Sequence, residues 1–144
     1  MTDTTTDPAP KAPPRPVSGR LIVTLRISAI VTLLCTVAQA LWAGMFVTGD
    51  IAMVAVHGAG AGLLTVAALV YLVTAILVWR PGRGPKAPMW TSIAFLVAAM
   101  LQAGAGMGRT FQVHFPLGVA MALGAFSMLT VAGSLVRKTE DGAQ

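Results

Sequence analysis

Residues 54–79 read Val54-Ala-Val-His57-Gly-Ala-Gly60-Ala-Gly-Leu-Leu-Thr-Val-Ala-Ala-Leu-Val70-Tyr-Leu-Val-Thr-Ala-Ile-Leu-Val-Trp79. No charge interrupts them. The loop that follows, Arg80-Pro81-Gly82-Arg83-Gly84-Pro85-Lys86, is polar and dense in helix breakers. At about 1.5 Å per residue, an apolar helix of this length crosses the ~30 Å hydrocarbon core of a bilayer. Three further runs flank it, from about Ile27 to Val47, Met89 to Met107 and Pro116 to Val136. The first two spans are separated by the tight turn Thr48-Gly49-Asp50. Gly108-Arg109-Thr110 opens the last connection, and the pattern leaves open whether Phe111 and Val113 already belong to the fourth helix. The reading is an all-α fold, a four-transmembrane-helix antiparallel bundle.

Composition supports this. The 144 residues are 56% hydrophobic and only 10% charged, against about 25% charged in soluble domains. A monomer with so little charge needs lipid, not water, around its apolar faces. The net charge of +5 raises the question of nucleic acid. Its carriers are Lys11, Arg15, Arg20, Arg26, Arg80, Arg83, Lys86, Arg109, Arg137 and Lys138, clustered between apolar runs. No basic stripe with interleaved aromatics occurs, so no nucleic-acid partner is expected. If four spans alternate, every basic residue except Arg109 falls on one side, which the positive-inside rule makes cytoplasmic. Arg26 snorkels to that side, and Trp79 and Trp90 anchor its interface. Both termini are therefore expected in the cytoplasm, and the location in the cell (plasma) membrane.

Residues 1–20, rich in Pro and Thr, read as a disordered cytoplasmic tail; 21–138 form the transmembrane domain and 139–144 a second tail. Ala38-Gln39-Ala40 looks like a signal-peptidase site, but the apolar run continues through Leu41 to Val47 without a polar break. Cys35 is the only cysteine, which excludes an internal disulfide and a cysteine-based zinc site.

A repeat runs through the chain. The first hairpin has Gln39 late in its first helix and Val56-His57 early in its second; the second hairpin has Gln102 and Val113-His114. Corresponding helices run the same way, so the repeat is parallel, about an axis near the membrane normal. The Gln-to-His spacing differs between the halves.

The two histidines are the strongest chemical signal. Intramembrane ionisable groups are functional candidates by default, and bundle cores are a usual place for metal and cofactor sites. Two imidazoles at similar height on two helices can converge on one metal ion; alternatively each sits at the interface and bonds headgroups or loops. Small residues beneath them, Gly60, Ala61, Gly118 and Ala122, leave clearance for a flat macrocycle. Equally, Gly58/Gly62, Ala40/Gly44, Gly104/Gly108 and Ala120/Gly124 fit close helix packing of the small-xxx-small kind. Gln39 and Gln102 suit a supporting role that orients a histidine or meets a ligand edge, or a plain interhelical hydrogen bond. Arg109 can meet an anionic group such as a haem propionate, or pair loosely with Asp50. No carboxylate lies inside a span, which weakens a proton-coupled transporter. No hydrolytic motif is present, so nothing points to an enzyme of that kind.

Gln102-Ala-Gly-Ala-Gly-Met-Gly followed by Val113-His114, with His57 in the matching place, resembles one four-helix half of the heme A synthase family. It is more loosely similar to cytochrome b561-type bis-His bundles, and to uncharacterised four-helix membrane proteins of high-GC bacteria. The resemblance implies that His57 and His114 are axial ligands of a haem b serving electron transfer or haem handling. The chain holds only one half, with no outer-loop cysteine pair and no intramembrane glutamate, so the synthase's oxidative chemistry does not carry over. The rival expectations are a non-catalytic accessory or structural protein, as a homo-oligomer or with a membrane-complex partner, and a small transporter component.

The topology has a direct check. Reporter fusions after Gln144 and within the Arg80–Lys86 loop are expected to report a cytoplasmic location; an external C-terminus means that one span has been misread.

Overall fold

A computed structural model describes residues 17–80 and 84–141, with side chains as far as residue 135. Four helices occupy nearly all of it: α1 (Gly19–Val47), α2 (Met53–Trp79), α3 (Ala87–Met107) and α4 (Phe111–Asp141). Each contains a segment long and apolar enough to cross a membrane. The expected spans fall inside these helices, and α1 and α4 start several residues earlier than expected. α1 begins at Gly19 and carries Arg20 and Arg26 at exposed positions. α4 begins at Phe111, which puts His114 in its first turn and Pro116 inside it. Pro116 withholds an N–H from the carbonyl of Gln112, an exposed residue near the helix start where the loss is cheap. Of the two expected tails, residues 1–16 and 142–144 lie outside the described residues. Gly19 and Arg20 belong to α1, and α4 runs on through 139–141.

Both helical hairpins close in the same way. The N–H of Asp50 donates to the carbonyl of Met45 and that of Gly49 to Phe46; the N–H of Thr110 donates to Ala105 and that of Arg109 to Gly106. These are paired Schellman caps, with the left-handed position held by Gly49 (φ 117°) in one and by Arg109 (φ 55°) in the other. The two turns lie at one end of the bundle, here the hairpin end. The start of α1, the end of α2, the start of α3 and the end of α4 lie at the other, here the terminal end.

The helices form a ring in which α1 packs on α2 and α4, and α3 packs on α2 and α4. Among the described residues no Cα of α2 comes within 8 Å of α4, nor any of α1 within 8 Å of α3. α2 and α4 are therefore diagonal. No more than 39% of any helix's most apolar window is buried inside the bundle. Leu34, Leu41, Leu63, Val66, Val97, Leu101 and Leu123 all face outward, as a lipid solvent allows and water does not.

The buried positions expose the repeat that the residues alone only hinted at. Leu64, Ala68, Tyr71, Ala75 and Val78 of α2 are buried, and so, 57 residues on, are Met121, Ala125, Met128, Ala132 and Leu135 of α4; His57 and His114 keep the same shift. On α1, Leu25, Ala29 and Thr32 match Pro88, Ser92 and Phe95 of α3 at a shift of 63; Gln39 and Gln102 keep it. The hairpin tips, Gly49 and Arg109, differ by 60. The first hairpin is thus three residues taller on each side, about one helical turn. That extra turn accounts for the unequal Gln-to-His spacing. Tyr71 crosses the core and donates its hydroxyl to the carbonyl of Met128, its own counterpart in the other half, at 3.1 Å.

The core is confined to the terminal half. Its buried members and the partly buried residues packed on them end at Cys35 on α1, Leu64 on α2, Ala99 on α3 and Met121 on α4. Polar groups inside it are satisfied locally: Ser28, Thr32 and Thr36 bond back to carbonyls one turn earlier on α1, and Ser92 reaches the carbonyl of Ala68.

Of the small-xxx-small glycines, Gly124 does meet a neighbouring helix, 3.4 Å from Phe95 for an added Cβ, but the other pairs need correction. Gly58, Gly62 and Gly104 are exposed, and a Cβ at any of them meets nothing within 4 Å. Gly108 approaches only its own helix end and turn. The close approaches are made elsewhere, because spacing along a helix does not say which way its small stripe faces. Ala68→Leu, at a fully buried position, is expected to lower bundle stability by about 1–3 kcal/mol through overpacking. Gly62→Leu is expected to leave the unfolding midpoint in detergent unchanged or to raise it, leucine being the better helix former by roughly 0.8 kcal/mol.

Candidate functional site

Above the core, towards the hairpin end, the interior changes character. His57 and His114 lie seven residues beyond Leu64 and Met121 on their helices, about 10 Å along the axis. Between them and the core are glutamine amides, glycines and alanines. His57, His114, Gln39 and Gln102 are all half-buried.

Each histidine is tied to the other helix of its own hairpin. His57 Nδ1 lies 3.1 Å from the backbone carbonyl oxygen of Gln39, and His114 Nδ1 lies 3.0 Å from that of Gln102. A carbonyl oxygen only accepts, so each Nδ1 carries the proton and donates. In the neutral ring this leaves Nε2 with its lone pair, the form that binds metals. Main-chain anchors fix ring orientation more firmly than side-chain partners, because a carbonyl inside a helix has no rotamer to change.

The two rings meet across the α2–α4 diagonal, with centroids 6.2 Å apart and planes at 61°. An imidazole nitrogen lies about 1.1 Å from its ring centre and binds a metal at about 2.0–2.1 Å, so two coaxial imidazoles on one ion have centres about 6.3 Å apart. Phe46 stands edge-on to His57 at 5.8 Å and Phe115 to His114 at 6.0 Å. Among the described residues no group of three or more His, Cys, Asp and Glu gathers. The two imidazoles are the ligand-type side chains at this point.

The glutamine side chains turn towards the core. Gln39 and Trp42 lie where a Cβ on Gly60 would stand, and Gln102 Nε2 would be 3.0 Å from a Cβ on Gly118. Gly60 and Gly118 thus make room for the two amides, and the slot-lining role expected of them is replaced by this one. Ala61 and Ala122 are half-buried. Gln39 Nε2 and Gln102 Oε1 are buried without a hydrogen-bond partner, a matched pair of orphans one turn below the rings. Arg109 stays exposed in its turn, and its left-handed backbone costs a non-glycine residue about 1–2 kcal/mol.

Two participants escaped the sequence reading. Trp42 lies three residues after Gln39 on the same helical face, a spacing that carries the signal. Gly106 matches Ala43 under the α1/α3 shift, and a Cβ there would stand 3.0 Å from His114 Cε1 and 3.1 Å from Nδ1. The His114 ring thus packs directly against the Gly106 backbone position.

Comparison of the chain with protein-family models, with curated proteins and with solved structures finds no match.

Gly106→Val is expected to displace the His114 ring and break its bond to the Gln102 carbonyl, at a cost of about 1–3 kcal/mol. Gly104→Ala, at an open position, is the matched control. Histidine nitrogen NMR of the two variants reads the difference: only the first shifts the His114 Nδ1 signal.

Proposed function

We propose that this small multi-pass membrane protein binds haem b between α2 and α4, with His57 and His114 as the axial ligands. The carrying observation is the imidazole pair itself: centroids 6.2 Å apart, both Nδ1 atoms spent on backbone carbonyls, both Nε2 atoms free to ligate. An iron ion with two protein nitrogens needs four more donors, and a porphyrin supplies four in one plane. The donor set fits that group better than a bare ion, which two histidines alone hold weakly. The layer without core residues, and the unpartnered buried amide atoms of Gln39 and Gln102, fit a site that a ligand completes.

Haem with two histidine ligands supplies one-electron transfer and leaves the iron no open position for oxygen chemistry. The chain's residues do the rest. The Gln39 and Gln102 carbonyls hold both rings in the ligating tautomer, and Phe46 and Phe115 flank them. Arg109, at the hairpin end, is the candidate partner for a propionate. With the termini in the cytoplasm, the site lies in the outer leaflet of the plasma membrane. The function is electron transfer or haem handling; an accessory or small transporter role is the alternative that a haem-free protein would favour.

Protein purified from haem-replete cells is expected to show a low-spin Soret band that shifts on reduction. His57→Ala and His114→Ala are each expected to abolish the low-spin spectrum, while Gly62→Leu leaves it intact. Protein that stays colourless after haem supplementation overturns the proposal.

A further inference from the structure

The two hairpins are joined unevenly. At the terminal end they share the apolar core, the Tyr71 bond to the Met128 carbonyl and the Ser92 bond to the Ala68 carbonyl. At the hairpin end the side-chain hydrogen bonds stay within a hairpin: His57 to Gln39, and His114 to Gln102. The glycine clearances follow the same rule. Gly60 accommodates Gln39 and Trp42 of its own hairpin, Gly118 accommodates Gln102 of its own, and Gly106 accommodates His114 of its own. Above Cys35, Leu64, Ala99 and Met121 no residue belongs to the shared core. The ring contact recorded between hairpins in that layer is the imidazole pair, His57 against His114.

We infer that the hairpin end is a clasp: the two hairpins part there to admit or release haem, and coordination of one iron by both imidazoles draws them together. This rests on the haem reading above and decides between its two branches in favour of haem handling, because the ligand is the joint between the hairpins. Each histidine is fixed to its own hairpin by a main-chain bond, so each imidazole moves with that hairpin as one body. A macrocycle placed between them meets the amides of Gln39 and Gln102, whose buried Nε2 and Oε1 atoms lack partners. Parting the hairpins there breaks no hydrogen bond recorded between them and unpacks no member of the shared core. The ring contact recorded across the hairpins there is the imidazole pair, which an iron would replace by two coordinate bonds.

The experiment uses full-length protein in lipid nanodiscs, with Cys35→Ser as background. Spin labels go on Asp50→Cys and Thr110→Cys, the two hairpin tips, and in a second sample on Gly19→Cys and Ala87→Cys at the terminal end. Pulsed EPR distances and the optical spectrum are recorded on the same samples, with and without one equivalent of ferric haem. The expected result is a broad tip-to-tip distribution that shortens and narrows as the low-spin Soret band grows, with the terminal-end distance constant. In the His57→Ala background the tips are expected to stay apart with haem present. A full Soret band with an unchanged tip distance refutes the clasp and leaves haem binding standing. No Soret band and no distance change refute both.

Discussion

Each histidine donates a hydrogen bond from its Nδ1–H to a main-chain carbonyl on the neighbouring helix, and the arrangement of the hairpin end depends on that bond. The bond fixes the tautomer, turns Nε2 away from its own hairpin's carbonyl and spends the one donor of a neutral ring that would otherwise need a partner in a medium without water. It also dictates the small residues around it. The His114 ring packs closely on Gly106, and Gly60 and Gly118 are bare where the amides of the anchoring glutamines lie against them. A cluster of glycines that would weaken a helix in water is here the condition for polar groups to fit between helices.

Two such hairpins about a pseudo-two-fold axis bring two imidazoles to face each other without further design. The symmetry holds through the buried core, from Leu64 and Met121 down to Val78 and Leu135, and breaks where exact symmetry would be costly. Tyr71 is paired with Met128, so that one phenol crosses the middle and bonds the opposite backbone. Two tyrosines would compete for that space. The extra turn of the first hairpin leaves the His–Gln pairs level, since it lies beyond them on both sides.

The four spans were legible in the chain because a bilayer demands long apolar runs and tolerates few charges. The histidines stood out for the same reason, as polar groups where none is free of cost. The ends of the helices were harder. Arg20 and Arg26 argued for a later start to α1 on charge alone, yet both are exposed on a helix that begins at Gly19. Pro116 marked the start of the fourth span with Phe111 and Val113 left open; the helix begins at Phe111 and takes Pro116 up in its second turn. Glycine roles were illegible, because Gly58 and Gly62 have the same four-residue spacing whether they face lipid or a neighbour. Only the rotation of α2 decides it, and that rotation is set by the burial of Leu64, Ala68 and Tyr71. Whereas Arg109 stays exposed in its turn, that His57, His114, Gln39 and Gln102 come together in one layer could be read in outline. That the glutamines act through their carbonyls on the rings could not, since a backbone atom leaves no mark on residue identity.

The chain has two histidines, so nitrogen NMR of protein labelled only at histidine, in bilayers, observes both rings and nothing else; a single substitution assigns them. The account predicts that Nδ1 is protonated on both rings without ligand, and that the Nε2 signals shift or vanish when one equivalent of haem is added while the Nδ1 protons remain. An unprotonated Nδ1 on either ring, or Nε2 signals indifferent to haem, would contradict it.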